Sequence, residues 1–399
     1  VICGQERLTY RELDTTANRL AHHLIDQGVT RGTTCAVQLD RNLHLATTTL
    51  AILKTGAAYT LLDPDFPHTR LRTITEQAHA THLITTTDQD TTWLHAGIHT
   101  VPLDHDHHTL TTRPTSAPTT TVHPLDTACL MFTSGSTGTP KGVLTPHQAL
   151  TTTLTHQHFT PTHTHHTWLQ CSPIPWDAYA LELFAPLLNN GTCILQPGTR
   201  PDPDTITHLI HQHRPTHLHL SASLFNHLLD THPHLFTHTH HLLTGGEPLS
   251  VPHITKALHH HPHLTITNGY SPVESTIFTT THTITPQDTQ HPTIPIGTPL
   301  PTKNTLLLDP HLNPVPPGTT GEIYMTGTGL AHGYTHQPTL TAQRFTATPY
   351  GPPGTRMYRT GDLARHRPDG TLEYQGRTDH QIKIRGFRIE PTEIQTALT

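Results

Sequence analysis

Thr133-Ser134-Gly135-Ser136-Thr137-Gly138-Thr139-Pro140-Lys141-Gly142 follows directly on the apolar run Ala128-Cys129-Leu130-Met131-Phe132. The run reads as a buried strand that ends in a tight loop. Gly135 and Gly138 let the loop bend and bare backbone N–H groups; the threonines and serines add hydroxyl donors, and Lys141 adds a positive charge. Such a loop suits a polyphosphate. Its spacing is not that of the G-x-x-x-x-G-K-[ST] loop, because a proline, not a glycine, precedes Lys141. A Ser/Gly linker is the alternative, and the strand before it and the Pro-Lys-Gly after it argue against that.

The chain has 399 residues, enough for two or three subdomains around a sizeable core. Asp, Glu, Lys and Arg make up only 13%, while histidine (41) and proline (36) are abundant. A net charge of −6 with neutral histidines disfavours nucleic-acid binding. No apolar run is long enough to span a bilayer, and no secretory leader is apparent. Five cysteines, scattered and never in a C-x-x-C pair, fit reduced thiols in a cytoplasmic protein. The histidine clusters at 156–166, 232–241 and 259–263 could chelate a metal, but histidines interleave with threonine and proline throughout, at surface-like positions and without ligand spacing. Compositional drift is the favoured account. It carries an expectation: near pH 6 many imidazoles gain charge together and the net charge swings positive.

Thr9 and Glu12 form a capping box opening a helix whose Leu13, Ala17, Leu20, Ala21 and Leu24 share one face, with Gly28 past its end. A second helix is expected over Leu43–Lys54, and short buried strands at 33–39 and 217–220. Pro- and Thr-rich connections lie at 111–124 and 310–318, the second before a β-rich region (321–325, 371–375). Alternating strands and helices point to an α/β architecture. Asp177, ahead of the helical-looking Ala178–Glu182, reads locally as an N-cap, and Thr360-Gly361-Asp362 as a plain turn.

Further segments stand in a fixed order around the loop: Leu8–Leu13, Leu53–Tyr59, Gly245-Gly246-Glu247, Asn268-Gly269-Tyr270-Ser271-Pro272-Val273-Glu274, Gly321-Glu322-Ile323, Tyr358–Leu363, Gly376–Asp379 and Gln381–Ile389. Together they resemble the adenylation domains of nonribosomal peptide synthetases, within the adenylate-forming (AMP-binding) superfamily. The resemblance implies a large α/β core at residues 1–376, with two β-sheets flanked by helices plus a distorted β-barrel. Residues 377–399 would be the hinge, at Asp379, and the first residues of a truncated C-terminal lid. It implies activation of an amino acid by ATP and Mg²⁺, giving aminoacyl-AMP and pyrophosphate, then transfer to the phosphopantetheine of a peptidyl carrier protein beside condensation domains. An acyl- or aryl-acid:CoA ligase, and a degenerate domain acting as a scaffold, are the alternatives.

The same resemblance assigns roles. Thr133, Lys141 and Glu274 fall in the catalytic set, Glu274 holding Mg²⁺. Thr133, Ser134, Gly135, Ser136, Thr137 and Gly138 would cradle phosphates. Gly245, Gly246, Glu247, Asn268, Tyr270, Asp362 and Arg377 would hold the rest of the nucleotide, with Tyr270 stacked on adenine and Asp362 on the ribose hydroxyls. Asp177 would bind the substrate ammonium. Ala178, Leu181, His219, Leu243, Gly245, Gly269, Ile277 and Phe278 would line the side-chain pocket, which favours a neutral, mostly apolar amino acid. Ser271 and Val273 stand where the family has glycine and threonine, His332 where it has arginine, and Pro391-Thr392 where it has Leu-Gly. The lid lysine that bridges substrate and nucleotide is expected to lie outside this chain, Lys383 not being its equivalent; one such contact is worth roughly 10²–10³ in rate.

Overall fold

The capping box forms as the sequence requires: Thr9 N–H donates to Glu12 Oε2 (2.8 Å) and Glu12 N–H to Thr9 Oγ1 (3.3 Å) at the head of the helix Tyr10–Asp26. Leu13, Ala17, Leu20, Ala21 and Leu24 form its buried face. The second helix spans Leu43–Lys54, capped by Asn42 and followed by Gly56 in the left-handed region (φ 77°). The computed structural model describes residues 1–105, 107–135, 139–160, 165–384 and 386–398.

Two α/β sheets and an antiparallel sheet make up the architecture. In the six-stranded sheet the order is His99–Pro102, His82–Thr85, Thr34–Val37, Ala58–Leu61, Thr127–Thr133 and Lys141–Pro146, parallel except for the last. The nine-stranded sheet has a parallel centre (Thr265–Tyr270, His241–Gly245, His217–Ser221, Thr167–Gln170, Thr192–Leu195, Ile2–Cys3) with antiparallel strands at its edges. The central parallel strands are buried on both faces, and their polar positions are filled mostly by threonine and histidine. Lys303–Leu308, Gly321–Gly327, Phe345–Ala347, Arg356–His366 and Leu372–Arg377 form the third sheet, which curls as half a barrel. Bulges at Glu322–Tyr324 and Leu363–Ala364 supply local bending. A hairpin (Ile382–Ile384, Phe387–Ile389) and the helix Pro391–Leu398 follow.

One buried arginine joins the two parallel sheets. Arg41 lies beyond the strand Thr34–Val37 and donates to the carbonyls of Ser172 (2.7 Å), Gln196 (3.2 Å) and Thr199 (3.3 Å), beyond strands of the other sheet. Both sheets therefore present their carboxyl ends to one cleft, where open α/β sheets bind ligands. No helix among the described residues is long and apolar enough to cross a membrane.

The expected surface placement of the histidines is corrected in part. His23, His82, His166, His217 and His261 are buried. Trp168, His217 and His241, side by side on three parallel strands, stack their rings at centroid separations of 5.0 and 4.6 Å. Burial holds His166, His217, His241 and His261 below their ordinary range, His217 down to about 3, so these rings do not join a common charging near pH 6. The unfolded chain takes up a proton at His217 near pH 6.5, whereas the folded chain resists it until about 3. The folded state's advantage is thus full above about 6.5 and declines as pH falls toward 3. His217→Phe, which keeps a ring in the stack, is expected to flatten the loss of stability between pH 7 and 5, measured by urea denaturation followed by circular dichroism.

Candidate active site

A cavity of about 1040 Å³ opens at the carboxyl ends of the parallel strands. Thr133, Ser221, Gly245 and Tyr270 terminate or nearly terminate their strands on its wall. Of the residues expected there, Thr133, Ser134, Asp177, Ala178, Leu181, His219, Gly245, Gly246, Glu247, Asn268, Gly269, Tyr270, Ile277, Phe278, Asp362 and Arg377 line it. Ser136, Thr137 and Gly138 lie outside the described residues. Leu243, Lys141 and Glu274 are buried behind the wall, not on it.

The glycine-rich-loop end begins where Thr133 pairs with Lys141 across the two strands that flank the loop. A Cβ at Gly135 would stand 1.9 Å from the Thr139 carbonyl oxygen, so the loop closes only with glycine there. The Thr133 hydroxyl is buried with no hydrogen-bond partner among the described residues. A buried donor left open toward a cleft fits an incoming anionic oxygen. Lys141 Nζ lies 5.5 Å from the centroid of the Tyr334 ring, and the Tyr334 hydroxyl donates to Glu274 Oε1 (2.7 Å). Burial beside the Glu274 carboxylate pushes the Tyr334 phenol well up, which keeps it a donor. Tyr334 thus links the two charged residues of the expected catalytic set. Sequence reasoning missed it, since a tyrosine after Gly333 carries no local sign distinguishing it from core packing.

Asp362 sits inside the strand Arg356–His366, not in the expected turn; Gly361 (φ 80°) bends the strand next to it. Its Oδ2 accepts from the Tyr270 hydroxyl and its Oδ1 from Arg377 Nη1, each at 2.5 Å. Arg377 is no surface charge. Its other nitrogens clamp Asp379 (Nε to Oδ1 2.6 Å, Nη2 to Oδ2 2.8 Å) and hold that carboxyl below its usual range. One guanidinium therefore connects the Asp362 end of the cleft to the expected hinge. Tyr374, 6.5 Å from the Tyr270 ring, adds a second aromatic wall that the sequence did not single out.

At the opposite end Asp177 opens the helix Asp177–Leu188, but the N-cap is Trp176, so the capping role expected for Asp177 is corrected. Its carboxylate instead accepts the Ile277 N–H (3.1 Å), and burial raises its pKa, against the pull of that hydrogen bond and of His219. The segment that supplies this N–H is strained. Thr276 (φ 54°) and Ile277 (φ 62°) are both β-branched residues in the left-handed region, which costs on the order of 1–3 kcal/mol each. Beside Asp177 the wall is Ala178, Leu181, Ile277 and Phe278, with His219 as the polar exception. His219 Nδ1 lies 3.1 Å from Oε1 of Glu182. Oε2 of that fully buried carboxylate accepts the N–H groups of Cys171 and Ser172, both at 2.9 Å. A Cβ at Gly269 would stand 2.2 Å from the Phe278 ring, and one at Gly245 2.1 Å from the Gly269 carbonyl oxygen, so the pocket depends on two residues without side chains.

Glu247 serves the mouth of the cleft. It accepts the Gly386 N–H at 2.7 Å and the Ser223 hydroxyl, bringing the segment after the hinge over the opening. Ile382, Lys383, Gly386 and Ile389 complete the wall there.

The sequence model of the AMP-binding enzyme family matches residues 1–335. One of the linear gramicidin synthase proteins of Brevibacillus parabrevis is 40% identical over 398 residues, covering 100% of this chain and 5% of that protein. Tyrocidine synthase 3 of the same organism is 36% identical over 409 residues, covering 100% of this chain and 6% of that protein. The chain thus spans a small part of the curated relatives it matches. Among solved structures, PA1221, a nonribosomal peptide synthetase protein containing adenylation and PCP domains, superposes with a TM-score of 0.91 at 33% identity, covering 98% of this chain and 78% of that one. The N-terminal subdomain of NpsA from Klebsiella oxytoca, in complex with 3-hydroxybenzoyl-AMSN, does so with a TM-score of 0.86 at 26% identity, covering 94% and 95%. Family match, identity and superposition agree with the cleft described above: this chain belongs to the AMP-binding enzymes, as an adenylation domain of the nonribosomal peptide synthetase kind.

Proposed function

We propose that this chain activates a neutral, mostly apolar α-amino acid with ATP, forming aminoacyl-AMP and pyrophosphate. The acyl group would then pass to the phosphopantetheine thiol of a peptidyl carrier protein, in a cytoplasmic assembly line that also holds condensation domains. The observation that carries this reading is Asp177: a carboxylate beside an apolar pocket, in the same cleft as the Asp362–Tyr270–Arg377 cluster. An ammonium entering such a pocket needs an anion to offset its lost hydration. A simple acyl- or aryl-acid substrate would bring no ammonium to Asp177, which disfavours a CoA ligase. Residues joined into one hydrogen-bonded site at both ends of the cleft disfavour a degenerate scaffold.

In the reaction, a substrate carboxylate oxygen attacks the α-phosphorus of ATP, an acyl–phosphate bond forms, and the bond to pyrophosphate breaks. No protein nucleophile is required; alignment and charge neutralisation carry the rate. Asp177 holds the ammonium. Asp362 accepts from the ribose hydroxyls, steadied by Tyr270 and Arg377, and the Thr133 hydroxyl and the loop N–H groups receive phosphate oxygens. Lys141 contributes positive charge behind the loop. Glu274 is the hard carboxylate that would hold Mg²⁺, which supplies charge neutralisation on the phosphates when bound; wholly buried behind the cleft wall in this structure, it would have to open toward the cleft to do so.

A valine- or isoleucine-like substrate is the first choice, because the lining offers no countercharge for a charged side chain. The His219–Glu182 pair favours a second reading. With Nδ1 facing the carboxylate, Nε2 remains for a hydroxyl on an aromatic or hydroxylated side chain.

Amino-acid-dependent ATP–pyrophosphate exchange over the proteinogenic set tests the proposal, on this chain and on a form joined to a lid domain bearing the bridging lysine. Exchange peaking at valine or isoleucine is expected; a peak at lysine or aspartate, or none in either form, sinks it. Asp177→Asn is expected to raise the KM for the amino acid by on the order of 30-fold or more, the cost of breaking a buried charge pair. Asp362→Asn should instead raise the KM for ATP and leave that for the amino acid within about twofold. Gly269→Ala, which must displace Phe278, is expected to lower kcat/KM more for isoleucine than for alanine, read from the same assay.

A further inference from the structure

Lys303 is the first residue of a strand in the third sheet, yet its side chain is buried beneath the amino-acid pocket. Its Nζ donates to the carbonyls of Ser275 (2.6 Å), Thr276 (2.7 Å) and Phe278 (2.6 Å). Three acceptors at these distances use all three hydrogens of an ammonium. They belong to the segment in which Thr276 and Ile277 take left-handed backbone angles that β-branched side chains resist. That segment supplies the Ile277 N–H to Asp177, and the Ile277 and Phe278 side chains to the pocket wall. Nothing in the loop's own sequence favours this conformation. The converging carbonyls would repel one another without a cation between them. The fold keeps the lysine's path clear: a Cβ at Gly329 would stand 2.2 Å from Lys303 Cε.

We propose that Lys303 is a positioning residue for amino-acid selection, its ammonium pinning residues 275–278 so that Asp177 and the pocket wall are held in register with a substrate. It touches no substrate itself and acts through the loop. Burial draws the group well below the usual lysine range, while Asp177 pulls it back up, so its charged form depends on the three carbonyls it donates to. The inference rests on the amino-acid-activating reading, but its test has an arm independent of activity.

Lys303→Met keeps most of the unbranched stem and removes the ammonium donors. It is expected to raise the KM for the preferred amino acid about tenfold, with the KM for ATP within about twofold, and to flatten the ranking across the amino-acid panel. Hydrogen–deuterium exchange of the Ile277 amide should quicken about tenfold while that of the strand His217–Ser221 is unchanged. Gly329→Ala, which displaces the lysine without removing its charge, should move all three readouts the same way. Equal changes in both KM values, or an unaltered ranking with unaltered exchange at Ile277, would overturn the proposal. If the methionine variant does not fold, Gly329→Ala decides by the same readouts. In the unsubstituted chain, an Ile277 amide exchanging as fast as an exposed loop refutes the pinning outright. If the unsubstituted chain shows no amino-acid-dependent exchange of pyrophosphate, the functional reading fails, and Lys303 is judged on the amide exchange alone.

Discussion

Two buried cations hold the cleft together, and both bond backbone carbonyls. Arg41 collects three from beyond the strands of the nine-stranded sheet, and Lys303 collects three from the loop under the amino-acid pocket. A buried cation without partners is strongly disfavoured, so each holds its partners as firmly as they hold it. The result is a cleft whose walls come from three sheets but whose geometry is set by a few internal ties. In a chain with only 13% charged residues, such placements stand out.

Three acidic residues show how environment divides one chemistry into several tasks. Asp177, desolvated and accepting the Ile277 N–H from the strained loop, is suited to an incoming cation. Asp362 is preset by a phenol on one oxygen and a guanidinium on the other. Glu274 lies wholly inside, hydrogen-bonded to Tyr334, whose ring Lys141 overlies. A fourth, Glu182, never reaches the cleft and acts through His219. Partners and depth separate them, not residue type.

The histidine-rich composition does not account for the fold, but the interior uses some of it. Stacked rings on adjacent parallel strands replace the aliphatic pairs usual there. Local rules read from the sequence held where the interaction was local. The capping box, the helix Leu43–Lys54 and the strand leading into the glycine-rich loop were all legible, because their determinants lie within a few residues of one another. They failed where a distant group took over. Asp177 gave its capping role to Trp176 and paired with Ile277, a hundred residues on, and Thr360-Gly361-Asp362 became a bent strand because the neighbouring strands of the third sheet demanded it.

By itself, the sequence determined the order of elements, the class of fold and the strand that leads into the loop after Thr133, since short-range spacing and side-chain type suffice for these. Only the tertiary structure decided that Tyr334 joins Lys141 to Glu274, that Arg377 binds Asp362 and Asp379 together, and that Lys303 reaches the carbonyls of Ser275, Thr276 and Phe278. These depend on which residues far apart in the chain meet in a low-dielectric interior, and no local pattern records such meetings.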